Sequence, residues 1–305
     1  MHALEIENLS KTYKNGVEAL NDVSLIVEQG DFFALLGPNG AGKSTAIGIV
    51  SSLVRKTSGR VRIFGTDIDV DFSTAKKQLG IVPQEFNFNV FYKVIDILTT
   101  QAGYYGIPYR KAKKQAEKYL DLLGLSNKKN EMARHLSGGM KRRLMIARSM
   151  LHEPRMLILD EPTAGVDIEI RRTMWGFLRE LNTNGTTIIL TTHYLEEAEN
   201  LCRNIAIINH GTIIENSTLP NLLKKLDCER FILYIDMHCE EAPSVPPYNI
   251  VLIDPTTLDV EISKTGSVSD LLAKLTQQGI VVKSMRNKTN RLEELFLRMT
   301  KEDIV

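Results

Sequence analysis

Residues 32–45, FFALLGPNGAGKST, constrain the fold of this 305-residue chain more than any other stretch. Residues 32–36 are a short apolar run, the pattern of a strand buried on both faces. The run passes directly into Gly37-Pro38-Asn39-Gly40-Ala41-Gly42-Lys43-Ser44, which fits G-x-x-x-x-G-K-[ST]. Glycines at these positions let the backbone turn tightly and aim successive N–H groups inward, so the loop becomes an anion nest. Lys43 supplies a point charge for the outer phosphates, and the Ser44 hydroxyl is a ligand for Mg²⁺. The helix expected from Thr45 to about residue 53 points its positive end at the same phosphates. A strand before and a helix after separate this motif from a ligand-free glycine turn. The stretch predicts an α/β protein that binds a nucleoside triphosphate.

Four other stretches carry chemistry. Residues 156–161, MLILDE, form an apolar run closing in two carboxylates, the pattern of a central parallel strand. Carboxylates at the C-terminal end of such a strand sit where α/β sheets bind ligands. Asp160 suits holding Mg²⁺, and Glu161 can orient and deprotonate a water. A helix cap by Asp160 would leave the adjacent Glu unexplained. Residues 164–167, AGVD, turn into a helix expected over 168–181. Residues 186–192 read as a further buried strand ending at His193, which on that edge faces the γ-phosphate rather than the core. Gln84 follows Pro83 on a loop after a strand expected over 76–82. Its amide reaches either a metal ion and attacking water or only solvent. Ser137 is a good N-cap for the helix over 141–151, and Gly138 and Gly139 leave amides uncovered at its start. This is a second anion site, which two copies arranged head to tail would use. Tyr13 lies on a turn between strands expected over 4–9 and 20–27. It is either a half-exposed surface residue or a flat face on which adenine stacks.

From about residue 90 to 150 the texture is helical. Lys111, Lys113, Lys114 and Lys118 fall on the polar side of an amphipathic helix with no aromatic residues between them, which reads as a solvated face. With 38 Lys+Arg against 37 Asp+Glu, nothing global recommends nucleic acid or an anionic membrane as partner. No stretch approaches the roughly 20 apolar residues that span a bilayer, so a cytoplasmic chain is expected. Cys202, Cys228 and Cys239 are widely spaced, as in a reducing compartment, and His238 beside Cys239 is a weak metal signal. A Pro-rich loop over 240–247 interrupts a final series of strands and helices. Residues 228–305 therefore read as a small α+β module without a phosphate loop.

Taken in order, Tyr13, the phosphate loop, Gln84, LSGGM, LILDE, AGVD and His193 resemble an ABC-type ATPase over about residues 1–220. The wording GPNGAGKST, LSGGMKRRL and DEPTAGVD, with a C-terminal LEELF helix, looks like the ATP-binding subunit of ABC-2-type exporters of drugs or polysaccharides. The resemblance implies an α/β P-loop NTPase of ABC type: a RecA-like core, an antiparallel β subdomain, a helical subdomain at about 90–150, and the C-terminal module. It implies that Tyr13 stacks on adenine, that residues 37–45 (Gly37, Pro38, Asn39, Gly40, Ala41, Gly42, Lys43, Ser44 and Thr45) cradle the phosphates of ATP, and that Ser44, Gln84 and Asp160 hold Mg²⁺, partly through water. Ser137, Gly138, Gly139 and Met140 would cap the γ-phosphate of ATP on the opposite subunit. Glu161 would be the base, His193 the γ-phosphate contact, Gln84 the sensor of Mg²⁺ and the membrane subunit, and Asp167 would lie at the dimer seam. The implied partners are a second copy and an ABC-2-type permease supplied in trans, which holds the ATPase at the cytoplasmic face of the membrane; nucleic acid is not among them. The family's signature usually ends in Gln. Met140 lacks that donor, so contacts there fall to Ser137 and backbone amides. An ABC ATPase of DNA repair or translation would need an inserted arm or a second cassette, and a non-hydrolysing scaffold would not need Glu161 and His193.

Overall fold

Alternation of apolar and polar residues sets up the first layer. Strands β1 (His2–Thr12) and β2 (Glu18–Glu28) bury Leu4, Ile6 and Leu9 against Leu20, Val23, Leu25 and Val27. In the computed structural model, residues 1–163, 165–192, 194–225, 228–263, 266–288 and 290–301 are described. After β3 (Phe32–Leu36) the chain enters α1 (Lys43–Val50), then β4 (Ser58–Ile63) and β5 (Thr66–Asp67). The order β2-β1-β4-β5, paired antiparallel, makes the first sheet.

Helix α2 (Phe72–Lys77) occupies residues that the sequence assigns partly to a strand beginning at Lys76. The Asp71 carboxylate accepts from the Thr74 amide at 3.0 Å and caps the helix. With only six residues, α2 is too short to show helical periodicity, and the strand β6 (Leu79–Val82) follows it.

Helices α3 (Val94–Tyr104), α4 (Tyr109–Leu122) and α5 (Gly138–Ser149) pack together as a helical layer. Ala112, Ala116, Tyr119 and Leu120 of α4 are buried, while its four lysines face outward as expected. A leucine buried as fully as Leu98 or Leu120 contributes about 2 kcal/mol.

The chain then alternates β7 (Met156–Asp160), α6 (Ile168–Thr183), β8 (Thr187–Thr191), α7 (Leu195–Leu201), β9 (Asn204–Asn209) and β10 (Thr212–Thr218). The main sheet runs β10-β9-β3-β8-β7-β6, with the five strands from β9 to β6 parallel. Every residue of β3 and β8 is buried, which is why β3 reads as an unbroken apolar run and β8 carries Ile188, Ile189 and Leu190 between two buried threonines. Parallel pairing puts the C-terminal ends of β3, β8, β7 and β6 on one edge, where their loops converge.

The chain divides into compact units at residues 217 and 218. The second unit contains α8 (Leu219–Leu223), β11 (Cys228–Ile235), β12 (Asn249–Asp254), β13 (Thr257–Ser263), α9 (Val268–Gln277), β14 (Val282–Asn287) and α10 (Arg291–Lys301). Its sheet is antiparallel in the order β12-β13-β11-β14, with a core of Phe231, Leu233, Leu258, Val260, Leu271 and Leu275.

Candidate active site

At two of its glycines the loop between β3 and α1 has no room for a side chain. A Cβ on Gly37 would meet the Ile208 carbonyl oxygen at 2.3 Å, and one on Gly42 would meet that of Ala19 at 2.6 Å. Gly42 also has φ +110 and stands at the N-cap of α1 with no side chain capping it, so the helix start is left to a ligand. Lys43 is only 6% exposed and folds back over the loop, its Nζ donating to Gly37 O at 2.6 Å and Pro38 O at 3.0 Å. Burial pushes the Lys43 pKa down, while the charges of Glu161 and Asp160 push it up. Both carboxylates are therefore electrostatic neighbours of this ammonium. Ser44, Asn39 and Gly40 are exposed.

Asp160 ends β7, and its Oδ1 accepts from the Thr191 hydroxyl at 2.5 Å. Glu161 follows in the left-handed region, φ 47, its amide donating to Thr191 O at 3.0 Å. Such a backbone conformation in a non-glycine residue is costly and clusters at functional sites. Gln84, on the loop after β6, donates Nε2 to Glu161 Oε2 at 2.9 Å. The sheet thus brings together Lys43, Asp160, Glu161 and Gln84 from distant parts of the sequence.

Tyr13 is 38% exposed, and its hydroxyl lies 3.3 Å from Thr45 Oγ1, with Lys11 Nζ 4.8 Å from the ring centroid. The ring therefore stands beside the end of the phosphate loop, with a face still open to solvent. Ser137 caps α5 as the sequence suggested, its hydroxyl accepting from the Met140 amide at 3.3 Å. Gly138 is exposed, whereas Gly139 is buried with Ile170 close to it. Asp167 caps α6, accepting from the Ile170 amide at 2.9 Å. His193 and Ala164 lie outside the described residues.

Sequence reasoning missed Arg142 and Arg148. Arg142 is 4% exposed, donates to Pro83 O at 3.0 Å and lies 5.1 Å from the Phe86 ring centroid. Burial pushes its pKa down, with Asp160 and Glu161 opposing. Arg148 donates to Asn87 O at 3.1 Å. Through these bonds α5 holds the loop that carries Gln84. The signal in the sequence was a pair of arginines among apolar residues of one helix, which periodicity alone would assign to the surface.

Every donor grouped for Mg²⁺ (Ser44, Gln84 and Asp160) offers oxygen. This set suits a hard divalent cation and not a soft metal.

The family model for the ABC transporter matches residues 20–164. The linearmycin resistance ATP-binding protein LnrL of Bacillus subtilis is 35% identical over 97% of this chain and 98% of its own length. The Nod factor export ATP-binding protein I of Rhizobium etli is 34% identical over 98% of this chain and 94% of its own. Among solved structures, an ATP-binding subunit of an ABC transporter superposes with TM-score 0.67 at 29% identity, covering 73% of this chain and 92% of that one. A dimeric ATP-binding cassette in a post-hydrolysis state, bound to ADP and phosphate, gives TM-score 0.66 at 27% identity, covering 71% and 98%.

Proposed function

The chain belongs to the ABC transporter family, and we propose that it is the motor subunit of an ABC-2-type exporter, working as a head-to-tail dimer beneath a separate permease. As a member of the family it binds and hydrolyses ATP. The observation that carries the reading of the site is the Gln84–Glu161 hydrogen bond at the strand edge occupied by Lys43. It joins a base to an amide that can orient water, beside a buried cation suited to phosphate.

In this reading Lys43 and the open start of α1 bind the phosphates, and Tyr13 stacks on adenine. Water attacks the γ-phosphorus while the Glu161 carboxylate accepts its proton, and the bond to the bridging oxygen of ADP breaks. Thr191 fixes the Asp160 carboxylate, and Arg142 holds the loop of Gln84 in place. Ser44, Gln84 and Asp160 would hold Mg²⁺, which supplies positive charge to the phosphate oxygens. His193 contacts the γ-phosphate. Ser137 to Met140 serve the ATP of the opposite subunit, and Asp167 lies at the seam.

No helix among the described residues is long and apolar enough to cross a membrane, so translocation is the permease's task. The exposed rings of Phe86, Phe91 and Tyr92 support docking of the permease on residues 85–98. Charge reversal at Glu85 or Lys93 is expected to reduce permease-stimulated hydrolysis; unchanged stimulation and transport would refute this docking surface. Residues 1–220 form the ATPase domain in this reading. Residues 228–305 regulate it or add dimer contacts, so their deletion should impair hydrolysis or transport.

The deciding experiment is light scattering of Glu161→Gln with and without ATP. Removing the base blocks hydrolysis while leaving ATP binding intact, so a monomer that becomes an ATP-dependent dimer is the expected result. A variant that binds ATP and stays monomeric would show that Ser137 to Met140 do not act across a dimer of isolated subunits.

A further inference from the structure

Glu197 is a carboxylate that the hydrolytic mechanism does not use. It lies on α7, is 0% exposed, and its Oε1 accepts from Trp175 Nε1 of α6 at 3.1 Å. Its other oxygen, Oε2, is buried with no hydrogen-bond partner, and so is the Oγ1 of Thr163, which is itself 0% exposed. Burial pushes the Glu197 carboxyl up, an effect opposed by Thr192, Trp175, Thr163 and the charge of Arg171. Thr163 and Thr192 therefore lie within reach of the carboxylate, close enough for their hydroxyls to oppose the effect of burial, while Oε2 and the Thr163 Oγ1 lack a well-formed hydrogen bond. The Arg171 guanidinium in turn stands 4.7 Å from the ring centroid of Tyr194.

The groups around this carboxylate come from particular places. Thr163 is two residues past Glu161. Thr192 and Tyr194 flank position 193, with Thr192 Oγ1 accepting the Tyr194 amide at 2.9 Å. Trp175 and Arg171 belong to α6, the helix that Asp167 caps. A buried donor and a buried acceptor left unpaired side by side are unusual, because each loses water without recompense.

We propose that Glu197 is a positioning residue for hydrolysis: it ties Thr163, in the turn after Glu161, to Thr192, just past the end of β8, with the Thr163 hydroxyl donating to Oε2 in the hydrolysing state. The inference rests on Glu161 being the base. Glu197 itself touches no reacting atom. It sets the orientation of the turn that follows the base, so its loss should appear in turnover and not in nucleotide affinity.

The test uses the full chain, with steady-state ATPase kinetics and thermal melting for T163V, E197A, E197Q and the double variant T163V/E197A. T163V replaces an unpartnered hydroxyl with a methyl of similar shape, so its melting temperature should hold or rise. Its kcat should nonetheless fall by about tenfold, with the KM for ATP within about twofold. E197Q retains an acceptor for Trp175 but places an amide donor where Oε2 stood, so the bond proposed from the Thr163 hydroxyl is lost and kcat should fall about as far as in T163V. The double variant should be no slower than the slower single variant, the sign of one shared interaction. If T163V turns over at the wild-type rate, or if the losses of T163V and E197A multiply, the proposal is overturned. Should E197A fail to fold, T163V against E197Q still decides. Failure of the base reading is separate, since it would appear as an active E161Q variant.

Discussion

The starts of α1 and α5 are both glycine-bordered helix ends suited to phosphate, yet they are built differently. At α1 the glycines are imposed by the chain itself: Gly37 and Gly42 would drive a Cβ into the backbone at Ile208 and Ala19. The charge is internal too, because Lys43 is buried against the loop it serves. At α5 the chain imposes little. A Cβ on Gly138 would meet nothing within 4 Å, and its φ is not in the left-handed region. A glycine at an exposed helix start, with neither conformational nor steric need in its own subunit, weakens the helix for no local return. In the proposed head-to-tail sandwich, the need for a bare backbone there would come from the partner's nucleotide. On that reading one end is a complete binding site, and the other is half of one.

Breaking the complete end should have the largest effect. Lys43→Ala removes the buried charge that faces the phosphates, so ATP affinity should fall about hundredfold, as for loss of a charge-assisted hydrogen bond. Titration with a fluorescent ATP analogue reads this directly, and an affinity within threefold of wild type would mean that the loop amides suffice.

Gly138→Ala should separate the two ends more sharply. Stability should hold or rise by up to about 1 kcal/mol from helix propensity, and the monomer's ATP affinity should not change. Hydrolysis and ATP-driven dimerisation should drop at least about tenfold. Melting, titration and light scattering on one preparation would check all of these. A fully active variant would show that the dimer has no need of a bare backbone at this position.

Arg142→Met tests the link between the ends, since this side chain ties the second turn of α5 to the loop of Gln84. Methionine keeps the stem packed but leaves Pro83 O without its donor. The expected cost is about 2 kcal/mol in denaturant unfolding, with a several-fold fall in kcat. A change in stability alone would make Arg142 structural.

The parts of the site on uninterrupted apolar strands were legible in the sequence. β3, β7 and β8 are buried on both faces, so a one-dimensional scan sees them, and the residues at their ends follow. The fold class expected from these runs agrees with the solved ATP-binding cassettes. What the scan could not see depends on distant partners. Gln84 meets Glu161 77 positions away, and Arg142 meets Pro83 59 positions away. Glu197 and Arg142 are charges inside the protein, and periodicity places charges outside. Helix α2 was missed for a different reason: its signal was a cap at Asp71, not an apolar stripe.

Ser137→Ala should give the smallest effect and the cleanest separation of roles. Ser137 is exposed and caps α5 by accepting the Met140 amide at 3.3 Å, a long bond that water can replace. Its loss should cost about 1 kcal/mol, read as a lower urea midpoint at unchanged slope. The monomer's ATP affinity should stay within about twofold, because α1 and Lys43 hold the nucleotide without help from α5. If the same hydroxyl and amide meet the partner's phosphate, as proposed, dimerisation driven by ATP should weaken more than stability does. If Ser137→Ala instead lowered the affinity of the monomer, both helix starts would be serving one nucleotide within a single chain, and the contrast between a complete end and a half end would fail.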